Sequence, residues 1–156
     1  MAEVIEPSDT VEQFYAAKGY NPKHSIGGLL GRVKMKLMDA LDAELEPLGI
    51  SAAQYAIMVS LANGVDSASG LCRSVSYDPG AMTRMIDRLE RKELVRRVPC
   101  SEDRRVMRLA LTEEGKAVYP QLVERAATVL NRRLRGFTKD EVRQLEHLLE
   151  RMLIND

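Results

Sequence analysis

The 156-residue chain holds two cysteines, two histidines and no net charge, and each scarcity excludes something. Cys72 and Cys100 are too few for the disulfide framework of a small secreted domain. His24 and His147 lie far apart in sequence, with no glycine-rich phosphate loop and no paired-cysteine motif. No catalytic residue, metal ligand or cofactor is therefore expected. No apolar run approaches the ~20 residues that a membrane span needs. Met1 to Thr10 is acidic and mixed, unlike a secretory signal, so the expected location is the cytoplasm, without a membrane partner. With 45% hydrophobic and 29% charged residues, the chain has enough apolar material to fold.

The zero net charge hides an asymmetry. From Arg73 to Arg108, ten Lys or Arg stand against six Asp or Glu, an excess of +4 that the rest of the chain cancels. A local basic excess is what an electrostatic contact with phosphate requires.

At the centre of that stretch, the run from Tyr77 to Arg91 reads as a helix with a marked start. Asp78 can cap free amides, and Pro79 suits the first helical position, where no hydrogen bond is lost. Met82, Met85, Ile86 and Leu89 form an apolar stripe, while Gly80, Thr83, Arg84, Asp87, Arg88 and Arg91 fall on the other side. A solvated face laced with ion pairs, such as Asp87 with Arg91, is the plain alternative. Two β-prone runs follow, Leu94 to Val98 and Arg105 to Leu111, joined by the polar connection Pro99 to Arg104. Helix, helix and basic-tipped hairpin is the order of a winged helix-turn-helix, in which the second helix enters the major groove. The expected fold is mainly α, with a two-stranded β-hairpin wing and with N- and C-terminal helices forming a dimerisation region.

The run Asp78 to Leu89, the hairpin tip Asp103-Arg104-Arg105 and the close Leu109 to Gly115 resemble the MarR family of transcription regulators. Leu45 to Tyr55 resembles that family's entry into its second helix, and the likeness covers roughly residues 24 to 153. It implies a homodimeric repressor on a pseudo-palindromic duplex. Gly80, Ala81 and Thr83 would allow close approach to the groove, with Arg84 and Arg88 contacting bases or phosphates beside Asp87. Asp103 and Arg105 match the family's Asp-x-Arg wing, whose carboxylate steadies an arginine bound for a narrow minor groove. Arg104 and Arg97 would add phosphate contacts. The resemblance also implies release by a small aromatic or phenolic effector. Thr83 and Arg97 could hold one anion, and Ala81, Met85 and Arg88 another; an alternative pocket would use His24, Arg32 and Tyr55 with Tyr15 or Tyr20. Most relatives carry glycine where this chain has Ser76 and Glu93.

Apolar periodicity supplies the remaining organisation. Residues 1–23 read as an arm with one short helical turn around Val11 to Ala17. Ile26, Leu30, Val33, Leu37, Leu41 and Leu45 mark a long amphipathic helix from His24, stopped by Pro47 and Gly49. Ser51 with Gln54 matches a capping box, and Ser67 or Ser69 starts a short helix bearing Leu71, Cys72 and Val75. Thr112 and Thr138 can each cap a further amphipathic helix. The expectation is a single domain, 1–156, with a DNA-binding module at 51–112 and dimerisation helices at 24–47 and 113–156. A winged-helix module that binds protein instead of DNA, and a cysteine-based redox regulator, are the rival readings. Cys72 lies on an apolar face and should be core, whereas Cys100 falls in the hairpin connection and should be exposed.

If the wing reading holds, Arg105→Ala weakens operator binding substantially in a gel-shift titration, whereas Arg104→Ala weakens it less and chiefly lowers the salt dependence.

Overall fold

The computed structural model describes residues 14–100, 103 and 107–155. Its elements are α1 (Ile26–Leu45), a short 3-10 turn (Glu46–Leu48), α2 (Ala52–Ala62), α3 (Ala68–Val75), α4 (Pro79–Arg91), β1 (Val95–Pro99), β2 (Met107–Leu111), α5 (Glu113–Arg133) and α6 (Lys139–Ile154). The described chain divides into two compact units, one up to Lys36 and one from Leu37 onward.

In the first unit, Phe14 and Tyr15 meet edge to face at 5.0 Å between ring centroids, and Tyr15 meets Tyr20 at 5.3 Å. The Ile26 amide donates to the Tyr15 hydroxyl at 2.8 Å, which ties this aromatic group to the start of α1. Ser25, almost fully buried, accepts from the Gly28 amide at 3.2 Å and so takes up the helix start that the sequence placed at His24. Of the helical turn expected around Val11 to Ala17, residues 14–17 are not helical and residues 11–13 lie outside the described residues.

The core of the second unit gathers Leu45, Ile57, Met58, Leu71, Met82, Ile86, Leu89, Val95, Leu109 and Leu122. Each α-helix that begins in this unit starts on a side chain that accepts from one of its free amides. Ser51 and Gln54 form a reciprocal capping box at α2, and the Asp42 carboxylate accepts from the Ala52 amide at 2.6 Å. Ser67, not Ser69, caps α3 through the Gly70 amide. Thr112 caps α5, and Thr138 with Glu141 forms a second capping box at α6. The hairpin is antiparallel, with Val95 opposite Leu111 and Pro99 opposite Met107. Pro99 thus belongs to β1 instead of the connection, at the end of the strand, where its missing N–H is tolerated. Cys72 packs half-buried against the core as expected, while Cys100 is also half-buried instead of exposed.

Two turns are under backbone strain. Ser76, at the end of α3, and Glu93, after α4, both have φ of 56°, in the left-handed region that favours glycine. These are the two positions at which the resemblance puts glycine in most relatives. The backbone keeps the turn that glycine permits, although a side chain occupies each. Gly115 is a different case, because a Cβ there would sit 2.1 Å from the Leu94 carbonyl oxygen. The first turn of α5 therefore lies directly against the chain between α4 and β1.

Glu93→Gly and Ser76→Gly should each raise stability, by up to about 1 kcal/mol, by removing left-handed strain. Gly115→Ala should lower it by about 1–3 kcal/mol, because backbone has to move. Urea unfolding at fixed protein concentration reads both signs, and a neutral or stabilising Gly115→Ala would contradict the close approach.

Candidate nucleic-acid interface

The orientation of α4 follows from its two faces. Met82, Ile86 and Leu89 are buried, Met85 is half-buried against the same core, and Gly80, Thr83, Arg84, Arg88 and Arg91 are exposed. Asp78 starts the helix by accepting from the Ala81 amide at 2.9 Å, and Pro79 occupies the first position. That amide, opposed by slight desolvation and aided by the Gly80 amide and the Arg84 charge, holds the Asp78 carboxyl below its ordinary pKa. The Thr83 hydroxyl donates to the Pro79 carbonyl at 2.9 Å. Neither Arg84 nor Arg88 forms a salt bridge with a described residue. Their guanidinium groups are available to an anion.

Asp87 and Arg97 have other partners than the sequence indicated. Arg91 donates from Nε to the main-chain carbonyl of Asp87, at 3.3 Å, not to its carboxylate. The carboxylate instead receives Arg97 from β1 at 2.8 Å, and Arg97 also pairs with Glu90. The Asp87 hydrogen bond, then the charges of Glu90 and Asp87, push the guanidinium pKa above its ordinary value against a smaller desolvation. A carboxylate effector held by Thr83 and Arg97 would have to compete with both acids.

The hairpin is fixed to the helices at its base. Arg108 grips both oxygens of Asp66, at 2.8 and 2.7 Å, and the Leu109 amide donates to the Asp66 carbonyl at 2.7 Å. Cys100 also hydrogen-bonds the Arg108 guanidinium, which with Asp66 raises the pKa of that group. Asp103 is exposed, whereas Arg104 and Arg105 lie outside the described residues.

The remaining candidates are dispersed. Arg88 borders a cavity of about 410 Å³ with Ser51, Gln54 and Lys92, whose ammonium donates to the Gly49 carbonyl and to Gln54. Ala81 is half-buried beside the core face. His24 lines a cavity of about 410 Å³ with Tyr15 and Tyr20 in the first unit, where Arg32 is exposed on α1. In the second unit Tyr55 packs half-buried against the core, and burial, then Tyr119, pushes its phenol pKa up. Glu90, Lys92, Asp66 and Arg108 were missed as contributors. Their partners lie 7 to 43 positions away, and no local pattern marks such contacts.

A capped helix seated by its apolar stripe, arginines on its open face and a hairpin pinned beside it define a winged helix-turn-helix regulator of transcription. The MarR family model matches residues 50–107, which span α2 to the start of β2. The multiple antibiotic resistance protein MarR of Salmonella typhimurium is 35% identical over 136 residues, 86% of this chain and 94% of that protein. The chain belongs to the MarR family.

Two solved structures extend the likeness. A cysteine-to-serine variant of E. coli MarR complexed with operator DNA is 35% identical, with a TM-score of 0.71 over 82% of this chain and 93% of that one. CouR from Rhodococcus jostii RHA1, bound to p-coumaroyl-CoA, is 25% identical, with a TM-score of 0.75 over 87% of this chain and 96% of that one. No single described helix is long and apolar enough to cross a membrane.

The depressed Asp78 pKa generates a pH dependence. Its contribution is fully present above the unfolded carboxylate value of about 3.9 and is lost as pH falls through the lower folded value. Asp78→Asn keeps a capping oxygen but removes the titration. The melting temperature of the wild type should therefore fall more steeply than that of Asp78→Asn below about pH 4; parallel curves would contradict the cap.

Proposed function

We propose that two copies of this chain bind a pseudo-palindromic DNA duplex as a repressor, which a small aromatic or phenolic ligand releases. The observation that carries the reading is the outward face of α4, where Arg84 and Arg88 stand exposed above a buried stripe, with no salt bridge to a described residue. Two such helices related by a twofold axis fit successive major grooves, about 34 Å apart. Arg84 and Arg88 then reach guanine edges or phosphates, and Gly80, Ala81 and Thr83 let the helix start come close. Asp103, with Arg104 and Arg105, belongs to the wing that follows the neighbouring minor groove. Residues 51–112 act as the DNA-binding module, and 24–47 and 113–156 as the dimerisation helices.

Two further observations support the assembly. α6 buries none of its residues, and Leu145, Leu148, Met152, Leu153 and Ile154 are all exposed. Five large apolar side chains on one helix favour a covering partner, and in this family a second copy supplies it. The operator-bound MarR relative supports the duplex, and the p-coumaroyl-CoA complex of CouR supports an aromatic effector. The cavity beside His24, Tyr15 and Tyr20 and the one beside Arg88 are the places to seek that effector, with Met85, Arg32 and Tyr55 as further candidates. The role is regulatory, not catalytic, and is exercised in the cytoplasm.

A duplex selected by the wild-type protein from a random-sequence pool supplies the probe. Arg84→Ala and Arg88→Ala should each weaken its binding by about tenfold or more, the loss of one good arginine contact per half-site. Sedimentation should give a two-copy species at micromolar concentration. A monomer there, or unchanged affinity in both variants, would sink the reading.

A further inference from the structure

The recognition helix carries two acids close to the face assigned to DNA. Asp87 is one helical turn from Arg84 and adjoins Arg88, and Glu90 follows three residues later. Left uncompensated, two carboxylates at that place would repel phosphate and cancel two arginines. The chain answers with Arg97, which reaches across from β1. One terminal nitrogen meets the Asp87 carboxylate at 2.8 Å and the other pairs with Glu90, whose second oxygen accepts from the Arg97 main-chain amide at 3.2 Å. Both ends of the guanidinium fork are thus occupied, and the same side chain joins the second half of α4 to the strand that leads into the wing. A lysine could supply the charge but not the two-point grip.

We infer that Arg97 is a positioning residue, not a DNA contact: bridging Asp87 and Glu90, it fixes the angle between recognition helix and wing and offsets part of their negative charge beside the duplex. The inference rests on the DNA-binding reading above. It differs from the role in which Arg97 itself grips a phosphate or an anionic effector, because only a positioning role is lost once Asp87 and Glu90 are neutralised.

Affinity for the selected duplex is measured for Arg97→Gln in the wild type and in an Asp87→Asn, Glu90→Gln background. A positioning residue acts through its partners, so Arg97→Gln should weaken binding by about tenfold in the wild type but by less than about twofold in the neutralised background. Within that background the salt dependence should stay unchanged, whereas each lost phosphate contact makes the slope shallower by about 0.9. Arg97→Lys is the second variant, and carries the test if Arg97→Gln does not fold. It keeps the charge but loses the fork, so it should bind clearly more weakly than the wild type; wild-type affinity for Arg97→Lys would overturn the inference. An equal loss in both backgrounds would overturn it too, and leaves the functional reading intact. If no duplex can be selected at all, that reading falls and this inference with it.

Discussion

Met82, Ile86 and Leu89 are buried with Ile57, Leu71 and Val95, and this burial decides which way the arginines of α4 face. Burying one such side chain is worth about 1.5–3 kcal/mol, whereas an exposed ion pair is worth about 1 kcal/mol at most. Rolling α4 about its axis would expose the stripe, and no set of surface pairs could offset that. Packing sets the direction of the helix. The charged contacts then set its finer attitude, with Asp78 marking where it begins, Arg97 holding its second half to β1, and Lys92 reaching back to the entrance of α2.

The charge distribution follows the same division. Acidic side chains near the basic face are mostly engaged: Asp87 and Glu90 by Arg97, and Asp66 by Arg108. Away from α4 in sequence, Glu44 at the end of α1 accepts Arg132 at 2.9 Å and lies 3.6 Å from Arg125, both on α5. A chain with no net charge can still present arginines on the open face of α4, because acids near that face are engaged by other arginines.

Much of this was legible in the sequence, for a physical reason. Helical periodicity, caps and turn chemistry are local, so α2, α4, α5 and α6 fall close to the expected limits, with Ser51, Asp78, Thr112 and Thr138 at their starts. The winged order and the inner and outer faces of α4 came from the same signals. Long-range partners are not periodic, and there the reading failed. Asp87 pairs with Arg97 instead of Arg91, and the contacts of Lys92 and Arg108 span 43 and 42 positions. Gly115 closes a family-like run in the sequence, and the Leu94 carbonyl above it gives the physical reason for a glycine.

That carbonyl also makes a mechanical joint. Leu94 accepts from the Thr112 amide at 3.1 Å, the Thr112 hydroxyl donates to the Glu93 carbonyl, and Gly115 leaves no clearance between them. The head of α5 and the tail of α4 therefore travel as one piece. α5 runs for 21 residues with Pro120 inside it, a position without a backbone N–H where a helix can bend, so the joint ties the first turn of α5, ahead of that proline, to the foot of the hairpin.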